Sequence, residues 1–329
     1  MTLKGYSDEQ LRLAARVYYV DGLDQSEVAR FTKVSRAKVS RLLAAARERG
    51  LVRKLGLEYE PRNLALERIL AKEFALSAVA VIKTIGTSVE DTRRVVGYFG
   101  APFVAEQLPH NSVVAIAGGR TIRQLVQNMP ENQARHLTVV QAMGSIDSVV
   151  GPDDALELGH VLARRSGGHF LSLNSPAFVT DRKIRDALHA LPQIRSVRDH
   201  FTRTNVAIVG VGTLTNSVFA ARRVLNSQDM KELTHCGAVG EICGRFYDKN
   251  GLECDSSLRE RVLSIELKQI RQIQQVIGVV ARGDRSAAIT AAIRGGLLKA
   301  LVIDDTAAGF LCGTAPSVRG GKRKASAPS

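Results

Sequence analysis

Seven short apolar runs limit what this chain can fold into. They are Ala78-Val-Ala-Val-Ile82, Val113-Val-Ala-Ile-Ala117, Leu137-Thr-Val-Val-Gln141, His169-Phe-Leu-Ser-Leu173, Val206-Ala-Ile-Val-Gly210, Val276-Ile-Gly-Val-Val280 and Ala300-Leu-Val-Ile303. A strand with one wet face alternates polar and apolar residues; a continuous apolar run is buried on both faces. Helical stretches lie between these runs, at residues 64–74 (apolar Leu66, Ile69, Leu70 and Phe74), 89–107 (opened by Ser88), 155–166 and 286–293. The second of these reads as a helix although Gly97, Gly100 and Pro102 weaken its pattern. Alternation of helix and buried strand predicts a doubly wound, mostly parallel α/β domain.

Ligands of such sheets sit beyond the C-terminal ends of the strands. The loops expected there are Gly118-Gly119-Arg120-Thr121, Ala142-Met143-Gly144-Ser145, Asn174-Ser175-Pro176-Ala177, Val211-Gly212-Thr213 and Ala281-Arg282-Gly283-Asp284-Arg285. Glycine lets a ligand approach the backbone, and a helix start offers free N–H groups to an anion. Any one of these loops alone is an ordinary strand-to-helix turn. Five at one sheet edge predict a pocket for a small, polar, anionic ligand. Its candidate residues are Gly118, Gly119, Arg120, Thr121, Gln141, Gly144, Ser145, Pro176, Ala177, Gly212, Arg282, Gly283 and Arg285. Glu241 and Asp248, near Gly251, are candidates either to bind hydroxyls or to cap turns.

A different pattern precedes the sheet. A first helix is expected from Asp8 to Val20, capped by Ser7, with Leu11, Ala14, Ala15 and Tyr18 as its apolar stripe. From Gln25 to Val52 two more short helices follow, joined by Thr32-Lys33-Val34. The first is capped near Asp24 or Gln25. The second is capped by Ser35, whose hydroxyl can accept N–H groups of the first turn, and it ends at Gly50. Val39, Leu42, Leu43 and Ala46 form its buried stripe. Ala37 and Arg41 point away from that stripe, with Lys38 and Ser40 beside them. This is a helix-turn-helix pattern, in which the second helix enters the major groove of DNA. Gln25, Ser26, Lys33, Ser35, Arg36, Ala37, Lys38, Ser40 and Arg41 are the candidate DNA contacts. Residues 51–55 could leave the unit as a short strand, and Pro61 marks the boundary.

Charge supports the same reading. Between Arg30 and Lys54 stand nine basic residues, Arg30, Lys33, Arg36, Lys38, Arg41, Arg47, Arg49, Arg53 and Lys54, opposed only by Glu48. A dense patch of one sign on such a motif is the footprint of phosphate contact. The whole chain of 329 residues carries a formal charge of +14. That fits a polyanionic partner but identifies none.

Several classes are excluded or disfavoured. No apolar run has membrane-spanning length and the first residues have no signal-peptide core, so a cytoplasmic protein is expected. Cys236, Cys243, Cys254 and Cys312 have no zinc-site spacing and read as free thiols. Neither metal nor cofactor is expected. The chain has no Gly-x-Ser-x-Gly, no phosphate loop ending in Gly-Lys-Ser/Thr and no His-Glu-x-x-His. The basic, apolar-poor segment from Ser317 to Ser329 reads as a disordered tail. The expected division is residues 1–58, 59–315 and the tail 316–329.

Four segments carry a family resemblance: Val39-Ser-Arg-Leu-Leu-x-x-Ala-Arg-x-x-Gly-Leu-Val52, Gly118-Gly-Arg-Thr121, Ala238-Val-Gly-Glu-Ile242 with Asp248-x-x-Gly251, and Ala292-Ile-Arg-Gly-Gly296 followed by Ile303-Asp-Asp and Ala307. In order and spacing they resemble the SorC/DeoR-type bacterial transcriptional regulators over about residues 6–314. The resemblance implies an effector domain similar in fold to sugar-phosphate isomerases and CoA transferases. It also implies a sugar or phosphorylated sugar as effector, double-stranded operator DNA as partner and self-association to dimers or tetramers. Two positions depart from the family. Gly118-Gly119 stands where relatives often have Trp-Gly, and Arg285 where many have lysine. An arginine stays protonated and cannot form a Schiff base, so Arg285 is expected to hold an anion reversibly. The rival reading is a sugar-phosphate isomerase or hydrolase with an appended basic domain. A third, a DNA-architectural protein, leaves the α/β domain without a purpose.

Overall fold

Three helices open the chain: α1 (Asp8–Tyr19), α2 (Gln25–Thr32) and α3 (Arg36–Glu48). The computed structural model describes residues 6–52, 59–84, 88–131, 135–281 and 285–313. Each of the three helices starts on a side chain that accepts N–H groups of its first turn: Ser7, Asp24 and Ser35. Lys33 stops α2 by turning left-handed, with φ at 50°, and Gly50 does the same beyond α3, with φ at 65°. The helices meet through Leu11, Ala14, Val17, Val28, Val39, Leu42, Leu43 and Ala46, all buried. The expected stripe of α3 is thus the packed one. In α1 Val17 is buried and Tyr18 only half-buried. Leu51 and Val52 are irregular, and the rest of the strand expected at 51–55 lies outside the described residues.

The chain continues through α4 (Leu64–Phe74), β1 (Ala78–Ile82), α5 (Val89–Glu106), β2 (Val113–Ile116), α6 (Arg120–Gln127), β3 (Thr138–Gln141), α7 (Ala155–Ser166) and β4 (His169–Leu171). Then come α8 (Arg182–Ala190), α9 (Pro192–Phe201), β5 (Val206–Val209), α10 (Val218–Ala221), α11 (Ser227–His235), β6 (Gly240–Ile242) and β7 (Arg245–Tyr247). Last are α12 (Leu267–Gln272), β8 (Gln275–Val279), α13 (Ser286–Arg294), β9 (Ala300–Asp304) and α14 (Asp305–Leu311).

All seven expected strands form one sheet in the order β1-β9-β8-β5-β2-β3-β4, every pair parallel. The strands between the edges are buried on both faces, as their unalternating composition requires. β2 and β5 are neighbours, but the chain leaves β2 toward β3 and leaves β5 toward β8. That divergence opens a crevice above their C-terminal ends. The antiparallel hairpin β6-β7 and the helices α8 to α12 are additions that the apolar pattern did not reveal.

One expectation on the helices needs correction, at Ile69, and another, the helix from Val89, holds. Ile69 is 45 % exposed, and Glu67 is buried in its stead. Glu67 takes two 2.7 Å hydrogen bonds from Arg62 and one of 2.9 Å from the Val81 N–H, which offsets the loss of water. α5 runs unbroken despite Gly97, Gly100 and Pro102. Its glycines are places of close approach: a Cβ on Gly97 would lie 2.4 Å from Gln124 Cβ of α6, and one on Gly100 2.7 Å from Val302 Cγ1 of β9. The gain in packing outweighs the weak helix propensity of glycine.

α5 also meets the N-terminal helices. The Tyr98 ring packs 4.7 Å from that of Phe31, and its hydroxyl donates to Asp21 over 2.9 Å. Arg94 donates to the carbonyls of Phe31 and Arg30 at the end of α2 and is paired with Asp91 on its own helix.

Candidate functional site

The crevice at the β2/β5 divergence holds a cavity of ≈ 410 Å³. That is within the usual range for small-ligand sites. Ala117 to Ile122 from the end of β2 and the start of α6 line one side, and Gly210 to Gly212 after β5 another. Met143 and Gly144 after β3, Val279 and Val280 at the end of β8, and Glu241 of β6 complete the floor. The loop 146–154 and the segment 216–222 form the rim.

The glycines have geometric reasons. Gly119 has φ at 138°, a conformation side chains rarely adopt. A Cβ on Gly118 would lie 2.8 Å from the Asp153 carbonyl oxygen, and the Gly119 N–H donates to that same oxygen over 2.8 Å. These contacts place the loop 151–154 against the start of α6.

Among the described residues four arginines line the cavity: Arg93 from α5, Arg120 from the first turn of α6, Arg222 at the end of α10 and Arg285 at the start of α13. Arg93 is 7 % exposed and pairs with Glu90 over 3.1 Å. Arg285 donates to the Ala281 carbonyl over 3.2 Å. Burial, then the charges of Arg93 and Arg120, push its pKa down, against the pull of Asp304. Arg93 and Arg120 thus each repel the charge of Arg285. Among the described residues the Arg120 side chain forms no hydrogen bond or ion pair.

The carboxylates at the rim are already engaged. Asp147 pairs with Arg222 across the rim over 2.5 Å. Asp153 lies 3.6 Å from Arg123. Asp154 caps α7 through the Leu156 N–H and accepts the Ser145 hydroxyl over 3.1 Å. Glu241 differs, being buried with no cationic partner in contact among the described residues. It accepts the N–H groups of Gly244 and Val218. Burial pushes its pKa up to about 7.

Most ligand candidates from the sequence meet here. Gly118, Gly119, Arg120, Thr121, Gly144, Gly212, Glu241 and Arg285 all line the cavity. Arg282 and Gly283 lie outside the described residues. Four other candidates serve the scaffold. Gln141 is buried and accepts the Leu173 N–H over 2.9 Å. Ser145 and Ala177 share a backbone hydrogen bond, and Pro176 is bridged to Ser145. The loop after β4 thus braces the loop after β3 and stays off the cavity, so four of the five expected loops contribute. Asp248 is a turn cap, accepting the N–H groups of Asn250 and Leu252 over 2.9 Å each. The sequence reading missed Arg93, Asp147, Asp153 and Arg222. Only the Asp153-Asp154 pair before a helix carried a local signal, that of a cap.

In the N-terminal unit Arg36, Ala37, Ser40 and Arg41 are exposed on the face of α3 opposite its buried stripe. Lys33 and Ser35 are exposed in the turn before it, and Ser26 at the start of α2; Gln25 is half-buried. Lys38 is drawn sideways, its Nζ 5.6 Å from the Tyr6 ring centroid. Arg49 is paired with Asp8 over 2.8 Å, so this member of the basic run serves the helical unit itself.

Comparison with known proteins places this geometry. Residues 61–312 match the family model described as "Putative sugar-binding domain". The chain belongs to the SorC/DeoR-type family of sugar-binding transcriptional regulators. It is 33 % identical over 319 residues to the transcriptional regulator YjhU of Escherichia coli, an alignment covering 93 % of this chain and 95 % of that one. It is 28 % identical to the sorbitol operon regulator of Klebsiella pneumoniae, over 90 % of this chain and 95 % of that protein. The crystal structure of full-length SorC from Klebsiella pneumoniae superposes with a TM-score of 0.73 at 27 % identity, covering 93 % of this chain and 99 % of that one. The doubly wound fold and the N-terminal helices are those of this family. The chain is accordingly a carbohydrate-related transcription regulator. Among the described residues no helix is long and apolar enough to cross a membrane.

Proposed function

We propose that the N-terminal helices bind operator duplex DNA as part of a dimer or larger assembly, and that a sugar or phosphorylated sugar in the cavity modulates that binding. α3 lies in the major groove, with Arg36, Ala37, Ser40 and Arg41 toward base edges. Gln25, Ser26, Lys33, Ser35 and Lys38 stand near the phosphates. The effector acts by binding the DNA-competent and incompetent arrangements with different affinity.

The observation that carries the effector reading is the convergence of Arg93, Arg120 and Arg285 on the cavity beside the uncapped start of α6. Among the described residues no side chain accepts the first-turn N–H groups of α6, whereas α1 to α5, α7 and α8 each start on one that does. Free N–H groups and guanidiniums at one cavity suit an oxyanion. Glu241 and Gly212 on the far wall suit sugar hydroxyls. A thermal-shift screen of free and phosphorylated sugars tests the reading, because a ligand of the folded state raises the melting temperature. Flat responses across pentose and hexose phosphates would reject it.

The enzymatic rival draws on Glu241, whose buried carboxyl titrates in the range useful for proton transfer. Turnover of pentose or hexose phosphates by the purified chain would favour that rival over the regulator reading.

A further inference from the structure

α5 has two engaged faces. One carries Arg93 into the cavity, and its Gly97 and Gly100 lie against α6 and β9. The other carries Asp91, Arg94 and Tyr98, spaced three and four residues apart and so aligned along one side. That side holds the end of α2 through Arg94 and Phe31, and the end of α1 through Tyr98 and Asp21. Asp21 in turn accepts Arg16 of α1 over 3.0 Å. The residue facing the cavity and the residue gripping α2 are therefore neighbours in sequence.

The cavity face of α5 is held by groups an anion would compete with. Arg93 pairs with Glu90, and Glu90 also accepts Gln124 Nε2 of α6 over 3.4 Å. Glu90 is 43 % exposed on its side chain, so it can return to water at little cost when Arg93 turns to another anion. Arg93, nearly buried, gives up no hydration in the exchange. Replacing one partner of Arg93 by another alters how the first turns of α5 seat on α6. Close packing at Gly97 and Gly100 leaves the helix no room to absorb such a change locally, so the helix moves as a body.

We propose that α5 couples the cavity to the DNA-binding helices: Arg93 exchanges Glu90 for the bound anion, and Arg94 and Tyr98 pass the resulting shift to α2 and α1. This rests on the reading of the cavity as an effector site. Spatial adjacency alone does not establish coupling; a cycle of substitutions does.

The test is amide hydrogen exchange on the full chain, in two arms. The first needs no ligand. Arg93→Gln is compared with wild type, alone and in an Arg94→Gln/Tyr98→Phe background. Exchange at residues 25–34 reports the seating of α2, and exchange at 113–116 and 206–209 checks that the sheet is intact. Arg93→Gln alone is expected to change exchange at 25–34 by about fivefold, a typical allosteric factor, and to have no further effect in the uncoupled background. No change at 25–34, or the same change in both backgrounds, overturns the proposal. The second arm adds millimolar inorganic phosphate to wild type. Protection at residues 118–125 reports occupancy, and the proposal expects exchange at 25–34 to move with it. Protection at 118–125 with 25–34 unmoved overturns the coupling. If 118–125 is not protected while 25–34 still answers to Arg93→Gln in the cycle, the coupling stands and the effector reading of the cavity fails.

Discussion

Gly97 of α5 and Gln124 of α6 face each other with no space for a methyl group between them. The pressure falls on backbone as well as side chain, since the same Cβ would lie 2.5 Å from the Gln124 carbonyl carbon. Gly97→Ala is therefore expected to destabilise the fold by about 1–3 kcal/mol, the range for overpacking a close contact, although alanine is the better helix former. Denaturant titration checks this. A variant as stable as wild type would mean that α5 and α6 can part without loss, which would also weaken the case for α5 as a rigid transmitter.

Arg41 stands on the exposed side of α3, its side chain bonded among the described residues by one 3.4 Å contact from Nε to the Ala37 carbonyl of the same helix. Arg41→Ala should leave the fold intact and weaken specific operator binding by about 1–3 kcal/mol, the usual loss of a base-reading contact. Lys33→Ala should weaken binding to every sequence and reduce the salt slope by about 1. Gel-shift titration over a salt series separates the two. Equal loss on operator and random duplex for Arg41→Ala would make it a phosphate contact.

Gly119 occupies a backbone region that a β-branched residue cannot share without strain. Gly119→Val should abolish the effector response while operator binding survives, because the strain falls at the start of α6 and away from the N-terminal helices. A variant that still releases or gains DNA at the same effector concentration would move the anion to the start of α13.

Arg285 stands at the start of α13, where burial and then the charges of Arg93 and Arg120 hold its pKa down. An anion relieves that repulsion. Arg285→Lys should bind a phosphorylated sugar more weakly than wild type, since a point charge loses the two-pronged geometry, and Arg285→Ala more weakly still. Calorimetric titration orders the three. Borohydride trapping should yield no adduct with wild type, because a guanidinium forms no Schiff base.

Glu241 gives the protein a pH dependence of definite sign. Its folded pKa is about 7, against an ordinary 4.5, because burial disfavours the carboxylate. The folded state thus holds this proton more tightly than the unfolded chain. The stability so gained is complete below the ordinary glutamate range and is lost as pH climbs through about 7. Glu241→Gln should remove that slope and raise stability at about pH 8 by roughly 2–4 kcal/mol. Melting curves at about pH 5 and about pH 8 check it; an unchanged slope would assign the titration elsewhere.

The legible part of this fold was the part that burial writes into composition. Strands such as Val206–Val209 are apolar at every position because the sheet covers both faces, so their ends fell within a residue or two of those read from the sequence. α8 left no such trace, since none of its residues is fully buried. Nor did β6 and β7, three residues each, in which Glu241 and Arg245 are buried by partners far away in sequence. The site was half legible for a related reason. Turn-forming residues mark where backbone must turn, which exposed Gly118, Gly119 and Gly212, but Asn174, Ser175 and Pro176 equally marked the loop after β4, whose task is bracing. Arg93 sits inside a helix whose periodicity says nothing about a cavity, and only the packing of α5 brings it there.

The pairing of β1 with β9 has a consequence during synthesis. Ala78 is in register with Ala300, and β1 lies at the sheet edge with β9 as its one neighbouring strand among the described residues and an isolated bridge from Arg62 to Ile82 on its outer side. Nothing earlier in the chain can take that place, so β1 must wait for the last strand to leave the ribosome. At the usual pace of translation, about 5–20 residues per second, the wait lasts roughly 10–40 s. The three N-terminal helices pack on one another through contacts close in sequence and wait only for α5, whose Tyr98 and Arg94 hold Asp21 and Phe31. A nascent chain therefore carries its N-terminal helices joined to an open, apolar half-sheet. A chain cut short before Ala300 would keep those helices but leave β1 without its partner strand and prone to aggregate.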